Sequence, residues 1–152
     1  AGSADLTALA RALAATHAEG AVATHDLPGP TGESNRLSLH PRAPVLCLGP
    51  GPGAQQTQAD LIRGFGGVAV AAGGAVPPGW LAEASGFSGV IWWGEQDTGR
   101  AIETALSART GPITALVTGL PDAAHVLHER HVCIDTTAAG GNAALLAEAG
   151  NA

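Results

Sequence analysis

The sequence contains no methionine, no tyrosine and no lysine, and aromatic residues make up only 3% of it. A core with so few rings has to be assembled from alanine, valine, leucine and isoleucine. The hydrophobic fraction of 45% is typical of a globular protein and excludes a disordered chain. Cys47 and Cys133 each lie within an apolar run, which predicts small buried side chains rather than a disulfide or a nucleophile. The 152 residues favour one domain.

The missing methionine, together with the opening Ala-Gly-Ser, predicts an excised piece of a longer protein. All seven basic residues are arginines, they are scattered along the chain, and the net charge is -6. Without a basic stripe we do not expect nucleic acid as a partner. No apolar run reaches membrane-spanning length and no charged leader precedes an apolar segment, so we expect a soluble, cytoplasmic chain.

Apolar runs alternate with helix-forming segments from residue 44 onwards. The runs predicted as strands are APVLCLGPG, GVAVAAGG, SGVIWWG, GPITALVTG and HVCID. Strands that are apolar throughout and separated by helices are typical of a parallel sheet covered on both faces. The sequence therefore predicts an α/β fold, an open and mainly parallel Rossmann-like sheet with helices on both faces.

Other segments complete this organisation. Residues 5–18 predict a helix, residues 25–35 a loop, and RLSLHPR a short strand. Residues 97–110 predict a helix capped by Asp97, and residues 120–130 a further helix. The predicted divisions are an N-terminal helix and linker (1–24), a Pro/Gly-rich loop and short strand (25–43), a Rossmann-like domain (44–134), and a tail motif with a short helix (135–152).

A glycine-rich turn follows the first apolar run, where Gly49, Gly51 and Gly53 separate a strand from a helix. This context is typical of a dinucleotide-binding turn, whose glycines let the backbone approach a pyrophosphate. The spacing is G-x-G-x-G, both intervening residues are prolines without an N–H group, and no acidic residue ends the next run. We therefore favour a structural turn over a working cofactor site.

Histidine and cysteine cluster late in the chain, as His125, His128, His131 and Cys133. His125 and His128 could share a helix face, and His131 and Cys133 one face of a strand. The paired spacing of a zinc site is missing, so we favour histidines near a helix end over metal ligands. A Cys133–His dyad is disfavoured because burial would raise the thiol pKa.

Trp80, Trp92 and Trp93 are candidates for a protein contact, since tryptophan is enriched at interface hot spots. The competing interpretation is packing of the rings against helices. The adjacent Trp92 and Trp93 would face opposite sides of a strand.

Two stretches carry a more specific signal. LPGPTGESNRLSLHPRAPVLCLG (27–49) and VLHERHVCIDTTAAGGNAALLA (126–147) closely resemble the C-terminal part of the bifunctional proline utilization A proteins. The resemblance spans most of residues 25–149. The segment between the two stretches resembles the additional C-terminal domain of the long members, which is similar to the cofactor-binding domain of aldehyde dehydrogenases.

This resemblance implies a parent enzyme that oxidises proline with FAD and then oxidises glutamate semialdehyde with NAD. It implies that the C-terminal domain packs on the aldehyde dehydrogenase module and helps to close the tunnel between the two sites. No flavin barrel, nucleophilic cysteine loop or glutamate motif is found, so no catalytic residue, cofactor site or metal site is carried over to this fragment.

The resemblance also implies that the tail reaches over the aldehyde dehydrogenase region. The contact residues expected there are Asp135, Thr136, Thr137, Gly140, Gly141 and Asn142. Residues with little or no side chain permit a close backbone approach, and an asparagine can cap the closing helix. We thus expect a non-catalytic, tunnel-closing domain. An NAD-binding module and a self-association module stay open as alternatives.

Overall fold

The computed structural model describes residues 2–135 and Glu148. The described chain forms two compact units, one made of residues 2–19 and 41–127 and the other of residues 20–40 and 128–135. In chain order its helices and strands are α1 (Leu6–Ala15), β1 (Ala23–Leu27), β2 (Glu33–Pro41), β3 (Val45–Gly49), α2 (Gly51–Gly64), β4 (Ala69–Ala71), α3 (Pro78–Glu83), β5 (Gly89–Trp92), α4 (Gln96–Ser107), β6 (Ala115–Val117), α5 (Ala123–Val126) and β7 (Leu127–Asp135).

The larger unit contains a four-stranded sheet in the order β4-β3-β5-β6. Each neighbouring pair is parallel, with Val45 facing Ala69 on one side and Gly89 on the other. Helices connect the strands, as they must when parallel neighbours are joined. The predicted α/β class with a parallel sheet is therefore confirmed.

Helical elements pack on both faces of this sheet. In β3, Leu46 and Leu48 belong to a core cluster that also contains side chains of α1, α3 and α4. Successive strand residues point to opposite faces. Val45 accordingly lies on the other face, where it lines a pocket together with Ile62 of α2. Burial on both faces explains why β3 is fully buried and apolar throughout.

The first helix forms much as its pattern predicts. The Asp5 side chain caps it by accepting hydrogen bonds from the N–H groups of Thr7 and Ala8. Leu9 and Leu13, one turn apart, are its buried residues. The predicted cap of α4 is wrong: Glu95 occupies the N-cap position, and Asp97 lies in the first turn and pairs with Arg100 at 3.3 Å.

Arg109 stabilises the C-terminal end of α3 through hydrogen bonds. Its guanidinium donates hydrogen bonds to the carbonyl oxygens of Leu81 and Ala84, and it lies 4.5 Å above the ring of Phe87. These carbonyls lie at the end of a helix, where no intrahelical partner is available. Arg109 therefore supplies donors that the short helix cannot provide for itself.

The smaller unit contains a separate three-stranded sheet in the order β1-β2-β7. Strands β1 and β2 form an antiparallel hairpin in which His25 faces Leu37. The loop predicted over residues 25–35 is therefore wrong in part, since only residues 28–32 connect the two strands. The polar stretch Thr-His-Asp forms a strand because every residue of β1 pairs with a residue of β2.

The last predicted strand joins this second sheet and not the parallel one, so the parallel sheet has four strands where we predicted five. The predicted helix over residues 120–130 is also wrong beyond Val126, because β7 begins at Leu127. Glu129 and Arg130 are exposed in β7. A parallel strand covered on both faces and extended to include them would have to bury both charges, which is costly unless they are paired.

Candidate functional site

The glycine turn lies where open α/β sheets bind ligands. Strand β3 is flanked by β4 on one side and β5 on the other, so the connections from β3 and from β4 lead in opposite directions across the sheet. Ligands of such folds bind at this switch point, outside the carboxyl ends of the strands. Gly49 ends β3 there, and the backbone N–H of Trp93, just after β5, donates to its carbonyl at 2.8 Å.

Two of the three candidate glycines are required by backbone conformation. Gly49 has φ of 98° and Gly51 has φ of 73°, in the region that side chains disfavour. A Cβ on Gly49 would lie 2.5 Å from the nitrogen of Gly51. Gly53 differs, because a Cβ at that position would meet open space. The turn therefore needs glycine at residues 49 and 51, whether or not it binds anything.

Two buried glutamines of α2 hold the turn. The Gln58 carboxamide accepts from the Gly49 N–H at 3.0 Å and donates to the Gly49 carbonyl at 2.9 Å. Gln55 donates to the carbonyls of Leu48 at 3.1 Å and Gly74 at 3.3 Å, and it accepts from the Gly73 N–H at 3.0 Å. The glutamines thus join the end of β3 to the loop after β4.

Sequence reasoning missed these glutamines, although a signal for them exists. Gln55, Gln58, Ala59 and Ile62 are all buried and recur at the spacing of one helix face. Polar side chains on an apolar helix face predict buried hydrogen bonds, because an unpaired carboxamide there would cost about 1–3 kcal/mol.

The residues present fit a dinucleotide poorly. Phosphate groups at such turns are held by free backbone N–H groups. Pro50 and Pro52 carry none, and the N–H of Gly49 is taken by Gln58. Gly51 and Gly53 remain as donors between residues 49 and 53. The residues that follow β4, from Ala72 to Gly74, include no carboxylate for a ribose.

The tryptophans make contacts within the larger unit. Trp80 and Trp92 pack against its core cluster. The indole N–H of Trp92 donates to the carbonyl of Glu95 at 3.0 Å, and that of Trp93 to the carbonyl of Gly119 at 2.8 Å. The latter bond joins the carboxyl ends of β5 and β6. These contacts do not favour the self-association interpretation.

The histidines fall into separate places. His125 lies in α5, where its Nδ1 is 2.7 Å from an Asp122 carboxylate oxygen and completes a capping box. Desolvation raises the pKa of Asp122, but hydrogen bonds from His125 and Ala124 outweigh this effect and hold that pKa below its ordinary value. His128 lies in β7 and does not share a helix face with His125, so that expectation is wrong. No group suited to a metal ion occurs among residues 2–135.

The two cysteines differ in exposure. Cys47 is buried, and burial raises the pKa of its thiol to about 12. Cys133 is exposed, so its predicted burial is wrong, because β7 lies in a sheet with accessible faces. Desolvation and the nearby carboxyl groups of Glu33 and Asp135 raise the pKa of the Cys133 thiol. Neither cysteine has the lowered pKa of a nucleophile.

Of the expected contact residues in the tail, Asp135 ends β7. Thr136, Thr137, Gly140, Gly141 and Asn142 lie outside the described residues. Their proposed role in an interdomain contact stays a prediction.

Together these features define an α/β protein with a parallel sheet, whose switch-point turn is occupied by its own glutamine side chains. No protein-family model matches the chain. None of the helices in the described part of the chain is long and apolar enough to cross a membrane.

The chain is similar to a region of the bifunctional protein PutA. It is 32% identical to PutA of Salmonella typhimurium (strain LT2) over 143 residues, which cover 79% of this chain and 11% of that protein. It is 31% identical to PutA of Escherichia coli (strain K12) with the same coverage. The similarity supports a PutA-related region without specifying the domain, and the chain spans only 11% of the length of these relatives.

Proposed function

We propose that this chain is a non-catalytic C-terminal domain of a bifunctional proline-catabolic enzyme of the cytoplasm, with a fold like that of the aldehyde dehydrogenase cofactor-binding domain. In this role it packs on the aldehyde dehydrogenase module of its parent and helps to close the tunnel that carries the intermediate. The parent would use FAD for proline oxidation and NAD for oxidation of glutamate semialdehyde.

The observation that carries the non-catalytic role is the closed glycine turn. The turn follows a central parallel strand at the switch point of the sheet, which is where open α/β sheets bind ligands. Gln58 nevertheless satisfies both backbone groups of Gly49, where a dinucleotide site would offer the N–H to its ligand. Both cysteine thiols have raised pKa values, which disfavours the thiolate that a covalent aldehyde adduct requires.

The smaller unit supports a packing role. Residues His128 to Cys133 of β7 are exposed, and all residues of β2 are only partly buried. A three-stranded sheet usually requires a covered apolar face for stability. A sheet of this kind is suited to lie against another module.

The test removes residues 136–152 from the full-length parent, which leaves β7 intact. We expect NADH formation from proline to show a lag, because the intermediate then accumulates in solution before it is oxidised. Oxidation of added glutamate semialdehyde, measured separately, reports on support of the dehydrogenase site. An Arg11→Gln variant, altered at an exposed position of α1, is the control. A lag-free reaction with both activities unchanged would contradict the proposed role.

An NAD-binding module is the second candidate. Its support is that the N–H groups of Gly51 and Gly53 remain available and that a Cβ on either would meet open space. Isothermal titration of the chain with NAD tests it. Binding that is lost in Gly53→Ala but retained in Gly64→Ala would favour it. The absence of a heat signal at about millimolar NAD would eliminate this candidate. A dissociation constant of about 1 mM corresponds to a binding free energy of only about 4 kcal/mol.

A further inference from the structure

The three-stranded sheet separates charge between its two faces. In a strand, residues two apart share a face. We call one side the arginine face and define it by Arg36, Ser38 and His40 of β2 and His128, Arg130 and Val132 of β7.

Contacts between the two strands show that these residues share one side. The Ser38 hydroxyl donates to the Arg130 carbonyl at 3.2 Å, and the rings of His40 and His128 stack with centroids 5.7 Å apart. As the residue number rises along β2 it falls along β7, which is the antiparallel arrangement. Arg36 is then a diagonal neighbour of Arg130, and such neighbours lie roughly 7–8 Å apart.

The opposite face carries three of the acidic residues of this sheet, whereas Asp26 of β1 lies on the arginine face. Glu33, Glu129 and Asp135 alternate with the residues of the arginine face along β2 and β7. On the arginine face, the charged pair is Arg36 with Asp26 at 3.0 Å. Arg130 is exposed and makes no ion pair within residues 2–135. A cationic surface thus stands on a chain whose net charge is -6.

The arginine face also contains a groove. Arg36, Ser38, His40 and Arg130 line it together with Val132 and Ile134, and its volume is about 440 Å³. The combination of guanidinium groups, hydroxyl groups and aliphatic side chains suits a carboxylate-bearing chain with its own apolar atoms. Guanidinium groups match carboxylates in geometry as well as in charge.

We propose that the arginine face binds an acidic, extended segment of a partner polypeptide. Carboxylates of the segment meet Arg130 and the remaining donors of Arg36, which also pairs with Asp26, while the aliphatic atoms of the segment lie over Val132 and Ile134. Nucleic acid is disfavoured as the occupant, because phosphate binding depends on neutralisation by several Lys and Arg residues and the whole chain has a net charge of -6. This inference does not rest on the proposed tunnel role, since it concerns strand faces and not the tail.

The experiment titrates the 152-residue chain into fluorescein-labelled hexaglutamate and follows anisotropy. We expect binding at about 20 mM salt that weakens at about 200 mM, because exposed charges are screened over shorter distances as salt rises. We expect Arg130→Gln to weaken it by about two- to fivefold, the effect of one exposed charge pair. Circular dichroism checks that the variant remains folded. Arg36→Gln removes the second positive charge from the same face.

Two matched variants distinguish binding at the arginine face from an effect of the net charge of the chain. Arg11→Gln removes one charge from an exposed position of α1, and Glu129→Gln changes the neighbour of Arg130 that points to the other face. We expect neither to weaken binding. Equal losses in Arg11→Gln and Arg130→Gln, no binding of hexaglutamate, equal binding of hexaglutamine, or tighter binding of oligothymidylate would each overturn the proposal.

Discussion

Replacement of Gln58 by methionine tests whether the glycine turn depends on its buried carboxamide. Methionine has a similar shape and makes neither hydrogen bond, so the cavity left behind is small. The Gly49 carbonyl keeps the bond from the Trp93 N–H, but the Gly49 N–H loses its partner. An unsatisfied buried donor costs about 1–3 kcal/mol. We therefore expect the free energy of unfolding to fall by about 2 kcal/mol, a roughly thirtyfold change in the folding equilibrium.

Urea denaturation followed by tryptophan fluorescence measures this loss, because Trp80, Trp92 and Trp93 all lie in the unit that contains the turn. Gln56→Met is the matched control, since Gln56 is the exposed neighbour on the same helix and should change stability by less than about 0.5 kcal/mol. A loss in Gln58→Met no larger than in this control would refute the reasoning.

Three further changes test other parts of the molecule. Gly49→Ala should lower the free energy of unfolding, because residue 49 has a positive φ and its Cβ would lie 2.5 Å from the nitrogen of Gly51. Gly53→Ala should raise it by about 0.5–1 kcal/mol, because its Cβ would meet open space in a helix. Urea denaturation measures both free energies. Arg109→Gln should lower the free energy of unfolding by about 1–3 kcal/mol, because two carbonyls lose their donor. Cys133 should react with a disulfide reagent more slowly than an unstructured peptide thiol at about pH 8, and Glu33→Gln should accelerate it, since its carboxyl raises the thiol pKa.

Each of these has its own control. Gly64→Ala, also in open space within α2, should resemble Gly53→Ala and not Gly49→Ala. Arg100→Gln removes only an exposed ion pair and should cost less than about 0.5 kcal/mol. A Cys133→Ser variant should leave only the buried Cys47, which should react after unfolding. Equal losses in Arg109→Gln and Arg100→Gln, or an unchanged rate in Glu33→Gln, would contradict the corresponding contacts.

The parallel sheet could be predicted because its signal is local. Each of its strands is a short apolar run, and burial on both faces imposes that composition on the central strands β3 and β5. Helix α1 was predictable for a similar reason, since Leu9 and Leu13 recur at helical spacing behind a capping aspartate.

The second sheet was not predictable in the same way. Whether HVCID pairs with a parallel sheet or with an antiparallel hairpin depends on β2, whose sequence position is far from it. The polar residues just before it, Glu129 and Arg130, predict the end of a helix because local propensity favours one. Pairing with β2 overrides that preference. The exposure of Cys133 follows from the same long-range choice.

The glycine turn was predicted from its residues, but what fills it was not. The prolines already argued against phosphate binding. The partner of Gly49 depends on which face of α2 is buried, and that is settled by packing against β3. The candidate tail contact depends on a surface outside this chain, so no pattern within the chain could establish it.

The residues before α1 give the parallel sheet unequal edges. Ser3 forms a parallel bridge with Ala75 just beyond β4, and the Ala4 N–H donates to the Ala75 carbonyl at 2.9 Å. Strand β6 at the other edge pairs only with β5 within the described chain. Backbone groups that are already paired cannot accept a strand from another chain. The opening residues therefore pair with both backbone groups of Ala75, which leaves neither of them available to a strand of another chain.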